Sequence, residues 1–260
     1  MSLEGFVLLC LLALQVQGKH ISNNSTRVTT GRIWAMAHEG NDISNKIFST
    51  LRNYALSCCN DIDGIDYCEN RQLAYWAFIP HIYWFNENQI MLWLHTYFNP
   101  DKPGADKTNM CRGELAPYPY FAIARGGAGG QHTEAFLLEG PMSEVALQQT
   151  ANDVPTDFFL YTFNSPCCFF DNNNCQQKIF DFADNWMPYH HRLTVGFTQW
   201  YMYPEGATMD DVREDFCERV QEYKNSDDYN SDFFNSLFFK KIDEQAGDTE
   251  FEEDIDNMYC

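Results

Sequence analysis

Positive charge is scarce in this chain. Seventeen Lys and Arg stand against 37 Asp and Glu, giving a net charge of −20 over 260 residues. Such a field repels polyanions and provides no counterion-release drive. It excludes proteins that hold nucleic acid by charge alone. Long apolar runs are also lacking. No stretch reaches about 18 uninterrupted apolar residues, so none reads as a membrane span. The longest, Phe6 to Val16, is broken at Gln15 and followed by Val16-Gln17-Gly18. It reads as a cleaved secretory signal over residues 1–18, although Glu4 precedes it and no Lys or Arg does. The mature form then has no membrane segment. No internal repeat is present. Gly126-Gly127-Ala128-Gly129-Gly130 lacks the Lys-Ser/Thr of a phosphate-binding P-loop and reads as a gating loop.

What the chain does have is apolar and aromatic mass: 45% hydrophobic and 16% aromatic residues. That supports a packed core and excludes disorder. Residues 19–41 form a leader in which Asn23-Asn24-Ser25-Thr26 makes both Asn23 and Asn24 glycosylation acceptors. Residues 42–224 carry the periodic elements of one domain. Residues 225–260 form an acidic extension with Lys240 and Lys241 as its only cations.

Ile43, Ile47, Phe48, Leu51, Tyr54 and Ala55 recur at helical spacing, predicting a helix over 42–57. Two aromatic stretches, 73–85 and 89–98, flank Asn86-Glu87-Asn88 and suggest a hairpin. Residues 99–117 read as loop, and Tyr118–Arg125 as a strand. A helix opens near His132 and runs to Glu139, resuming beyond Gly140-Pro141 to Gln149. Phe158–Phe163 is a continuous apolar run that fits a strand buried on both faces. A helix over 174–186, a strand through Leu193, Val195 and Phe197, and a last helix over 209–223 follow. Phe233–Phe239 suggests a short docked helix. Alternating strands and helices imply an α/β layer fold.

The chemistry concentrates in His132-Thr133-Glu134. Thirty-one residues intervene before Pro166-Cys167, and Cys175 is close behind. His132, Cys167 and Cys175 supply three metal ligands and leave a fourth position for water, as catalytic zinc (Zn2+) sites do. Glu134, two residues from His132, is not forced onto the same ion. It is placed instead to shuttle protons between water and a substrate. His-x-Glu followed by Pro-Cys and a second Cys is the pattern of zinc deaminases. The departure is the gap of seven residues between Cys167 and Cys175, where two to four are usual. Cys168 is a rival ligand; Cys167 is favoured because it follows Pro166. The remaining cysteines, Cys58, Cys59, Cys68, Cys111, Cys168, Cys217 and Cys260, suit disulfides in an oxidising compartment, with no connectivity legible.

His132-Thr133-Glu134 with Tyr161-Thr162-Phe163-Asn164-Ser165-Pro166-Cys167 resembles the cytidine deaminase superfamily, and Ser165-Pro166-Cys167 resembles its AID/APOBEC branch. With the signal segment and acidic composition, the chain resembles the secreted AID/APOBEC-like deaminases of fishes. The resemblance covers about residues 42–224. It implies a cytidine-deaminase-like three-layer α/β fold, with a five-stranded mixed sheet flanked by helices. It also implies base-edge contacts from the backbone at Thr133 and Ser165, and a substrate-selecting aromatic loop at Trp200, Tyr201 and Tyr203. Asn164 departs from the family, where many members place Trp. The implied activity is hydrolysis of cytosine to uracil and ammonia, with host defence as its setting. The resemblance favours single-stranded nucleic acid as substrate; the acidic charge favours a free nucleoside, or a short strand at a locally basic patch.

Arg125 and Arg192 are further candidates, as phosphate holders. His190-His191 reads as polar loop, and His38, His81 and His95 carry no pattern. Two rival readings stand: a secreted binding protein with a structural zinc site, and a zinc-free disulfide scaffold. Oligomeric state is not legible.

Overall fold

A computed structural model describes residues 42–63, 72–83, 86–112, 121–123, 132–139, 142, 144, 156–167, 174–186, 192–202, 206–225 and 237–242. The signal and leader segments, with Asn23 and Asn24, lie outside them. So do Cys68, Cys168, Cys260, Tyr203, Arg125, His38, His190, His191 and the Gly126–Gly130 run.

The described elements run in chain order as α1 (Asp42–Asp63), β1 (Leu73–Pro80), a 3-10 turn (His81–Tyr83), α2 (Glu87–Tyr97), α3 (Lys107–Arg112), β2 (Phe121–Ile123), α4 (Thr133–Glu139), β3 (Thr156–Asn164), α5 (Cys175–Trp186), β4 (Arg192–Gln199), α6 (Met209–Asn225) and β5 (Leu237–Lys241). Five strands make one open sheet in the order β2-β1-β3-β4-β5. β1 pairs antiparallel with β2 and β3, while β3-β4 and β4-β5 are parallel. The fold is therefore α/β with a mixed five-stranded sheet flanked by helices, compatible with three layers.

Strand register and ring contacts assign the layers. Successive residues of a strand point to opposite faces. On one face, Phe159 meets Phe48 of α1 and Tyr75 meets Tyr54. On the other, Phe158 meets Phe182 of α5, Phe78 meets Trp93 of α2, and Phe197 and Phe239 meet Phe216 of α6. Ile47, Phe48, Leu51 and Ala55 are fully buried, so α1 forms because that stripe covers the sheet. β3 is buried through its first seven residues, as its unbroken apolar run requires.

The edge of α1 is pinned twice. Cys58 bonds to Cys111 of α3 across a sequence separation of 53 residues. Closing a loop of that length is worth on the order of 4 kcal/mol in the chain-entropy account. Beside it, Ser57 and Lys107 both donate to Asp101, at 2.5 and 2.6 Å. Lys107, then Ser57, holds the Asp101 carboxyl below its ordinary range.

Three expectations from sequence are corrected. The second half of the expected hairpin, 89–98, is helical. The Asn86 side chain accepts from the Asn88 amide and caps α2, with Glu87 in its first turn and Ile90 and Leu94 buried one turn apart. The loop expected over 99–117 contains α3, closed by the disulfide. The Phe233–Phe239 cluster is no helix where it is described: Leu237–Lys241 is the fifth strand, pairing with Leu193–Phe197. The expected strand over 118–125 is extended at Phe121–Ile123 among the described residues.

Gly196 sits where Phe48 of α1 presses against the sheet. A Cβ there would lie 2.6 Å from two ring carbons of Phe48 and 3.0 Å from Ile242. Phe48 is itself packed against Phe159 and cannot retreat freely. Gly196→Ala should destabilise the fold by about 1–3 kcal/mol, the usual cost of overpacking. Denaturant unfolding with an unchanged midpoint would refute that packing.

Candidate metal centre and active site

Parallel pairing of β3 with β4 carries two chain segments out of the sheet side by side, at the strands' C-terminal ends. Such ends commonly host sites. The Ser165 amide donates to the Gln199 carbonyl at 2.7 Å, and the Tyr201 amide donates to the Ser165 hydroxyl at 2.9 Å. Cys167 follows two residues later. Cys175 opens α5, and the Gln176 amide donates to the Cys167 carbonyl at 3.1 Å. That bond brings the two cysteines together across the long intervening loop. His132 precedes α4, and its carbonyl accepts from the Phe136 amide at 3.1 Å, starting the helix.

The three expected ligands converge. His132 Nδ1 lies 3.2 Å from the sulfur of Cys167 and 3.2 Å from that of Cys175. One ligand atom from each residue lies within 4.8 Å of the others, so the group could hold a metal ion. A tetrahedral ion with Zn–N and Zn–S bonds near 2.0 and 2.3 Å separates such atoms by about 3.5 Å. The donor set fits. Sulfur chemistry agrees as well. Of the six described cysteines, Cys58, Cys59, Cys111 and Cys217 are in disulfides, whereas Cys167 and Cys175 are thiols.

Both sulfurs are buried. The Cys175 proton, then the His132 ring, stabilises a thiolate on Cys167 and draws its pKa down to about 5, against the opposing effect of burial. Cys175 moves the other way: it faces the Cys167 thiolate and is itself desolvated. His132 is raised, first by its bond to Cys167. A thiolate is the form of sulfur that a soft cation binds, and the surroundings of Cys167 favour it.

Glu134 lies in the first turn of α4 with no exposed surface. Burial raises its pKa. Its Oε2 accepts from the Thr133 hydroxyl at 3.0 Å and lies 3.6 Å from the Cys175 sulfur. The Gln72 side-chain nitrogen reaches both carboxylate oxygens, at 2.9 and 2.8 Å. Sequence reading missed Gln72. No spacing rule links a glutamine before β1 to a glutamate 62 residues later.

The other expected site residues divide. Thr133 and Ser165 are at the site and buried. The Ser165 N–H is already committed to Gln199. The Tyr201 ring lies 6.4 Å from the His132 ring, edge-on, and forms a wall. Trp200 packs in the core, 4.8 Å from Phe197 and 5.5 Å from Phe216, and offers no exposed stacking face. Arg192 pairs in register with Asp157 at the opposite end of the parallel strands, about 23 Å from the Gln199 end. Burial there lowers its pKa to about 10; its distance from the cluster is what keeps it from holding a phosphate at this site. His95 contacts Asn99 at 2.8 Å on α2.

No family model matches the chain, and neither a curated protein nor a solved structure does.

Purified protein should carry about one metal ion per chain. Cys175→Ser and His132→Ala should each lose most of it, whereas Cys58→Ser should keep it. Elemental analysis of the folded variants checks this. Equal retention in all three would show that the cluster is not the metal site.

Proposed function

We propose that this chain is a secreted, zinc-dependent deaminase that hydrolyses cytosine, in cytidine or deoxycytidine, free or within single-stranded nucleic acid, to uracil and ammonia. The observation that carries the reading is the buried Glu134 carboxylate set against a His132-Cys167-Cys175 cluster. Three protein ligands of nitrogen and sulfur leave a position open for water, and that donor set favours zinc over harder cations. Zinc, when bound, lowers the pKa of a water toward about 7. The resemblance of His132-Thr133-Glu134 and Ser165-Pro166-Cys167 to the AID/APOBEC branch supplies the substrate class. Disulfides at Cys58, Cys59, Cys111 and Cys217 favour an oxidising, extracellular setting. No helix among the described residues is long and apolar enough to cross a membrane.

In this reading the chain's residues divide the work. Glu134 takes a proton from the attacking water and passes it to the ring nitrogen, then takes the proton of the new C4 hydroxyl and gives it to the departing amine as the C4–N bond breaks. Atoms balance: one water is consumed and one ammonia leaves. His132, Cys167 and Cys175 hold the metal. Tyr201 bounds the base. General acid–base help of this kind is worth about 10²–10⁴ in rate.

One observation favours a second reading, a zinc-holding binding protein without activity. The resemblance places the backbone at Ser165 on the base edge, and its N–H is spent on the Gln199 carbonyl, which leaves the Ser165 carbonyl for such a contact. Ammonia release measured on cytidine, deoxycytidine, adenosine, single-stranded DNA and single-stranded RNA separates the two. We expect release from at least one cytosine substrate and none from adenosine. Glu134→Gln should abolish uracil formation and leave bound zinc unchanged. Undiminished deamination by that variant would sink the mechanism, and a blank screen with full zinc occupancy would establish the second reading.

A further inference from the structure

Gln72 is the residue immediately before β1, and it is half-buried. Its side-chain nitrogen donates to both oxygens of the Glu134 carboxylate. The other side-chain groups on that carboxylate, Thr133 and Cys175, both act at Oε2. Among the described side chains, Gln72 is therefore the contact that holds Oε1. The terminal torsion of a glutamate is broad and weakly restrained by itself. At these distances the amide nitrogen sits astride the carboxylate, and one N–H is shared between its two oxygens as a three-centre bond. Sharing it across the carboxylate suppresses that rotation. The amide is also neutral, so it orients the group without adding a competing charge beside a cation site.

We propose that Gln72 is a positioning residue, fixing the plane of the Glu134 carboxylate so that Oε1 exchanges protons while Oε2 stays tied to Thr133 and Cys175. The contact couples the start of β1 to the first turn of α4, two elements far apart in sequence. The kinetic consequence rests on the deaminase reading; the contact itself does not.

Gln72→Met keeps the length of the side chain and removes its donors. On the best cytosine substrate it should lower kcat about 10- to 100-fold, the scale of a misaligned reacting group. KM should stay within about threefold, with zinc content unchanged. An unchanged kcat, or an effect confined to KM, would overturn the proposal. Should Gln72→Met not fold, Gln72→Asn serves, because its amide is one methylene too short to span both oxygens. The second arm needs no activity. Thermal midpoints of Gln72→Met, Glu134→Leu and the double variant should be non-additive, with the double variant losing less than the singles together. Additive losses would refute the contact. If the wild-type chain deaminates none of the substrates, the deaminase reading fails, and the thermal cycle still decides whether Gln72 holds Glu134.

Discussion

A fully buried carboxylate must find donors or drive its surroundings apart. Glu134 has no exposed surface, and the cost of desolvating an unpaired carboxylate is several kcal/mol. Its partners come from three places: Gln72 at the start of β1, Thr133 on its own helix, and Cys175 at the start of α5. Any displacement of α4 against β1 or α5 would strand that charge. The helix that carries Glu134 and directly follows His132 is only seven residues long, too short to be stable by itself. Its position follows from what the carboxylate is tied to and from the burial of Ala135, Leu137 and Leu138.

The sheet prepares that arrangement. β3 and β4 leave it in the same direction, so Cys167 and Tyr201 emerge as neighbours, joined through Ser165. Thick aromatic packing on both faces makes the platform rigid, with α1 on one side and α2, α5 and α6 on the other. Gly196 shows how tightly α1 is pressed down. Side chains mounted on such a base are held in defined mutual positions, His132, Cys167 and Cys175 among them.

Local pattern made some of this readable and non-local packing hid the rest. His132, Glu134, Cys167 and Cys175 were legible because their types and spacing encode donor chemistry. Gln72 was not, since only the pairing of distant segments brings it to Glu134. Trp200 resembled a stacking residue by its place in an aromatic loop; the position of α6 turns it into core. The 89–98 stretch looked like a strand from its aromatic content, although Asn86-Glu87 carried a helix-start signal. β5 was obscured by the acidic residues around it. Its apolar Leu237–Phe239 run gains meaning only beside β4. Arg192 lay near the site along the chain and at the far end of the strand in space.

The sulfur inventory has a consequence for how the chain must mature. Sulfur atoms in an oxidising environment exchange partners through exposed thiolates, so access decides which ones pair. Cys167 and Cys175 are 3% and 0% exposed. Once β3, β4 and α5 have closed over them, soluble disulfides no longer reach them, although the thiolate form of Cys167 is favoured. Before closure they are ordinary candidates for wrong bridges with Cys58, Cys59, Cys111 or Cys217. The order of folding and oxidation therefore matters as much as the final geometry: the fold has to enclose its reduced pair before the other disulfides are complete.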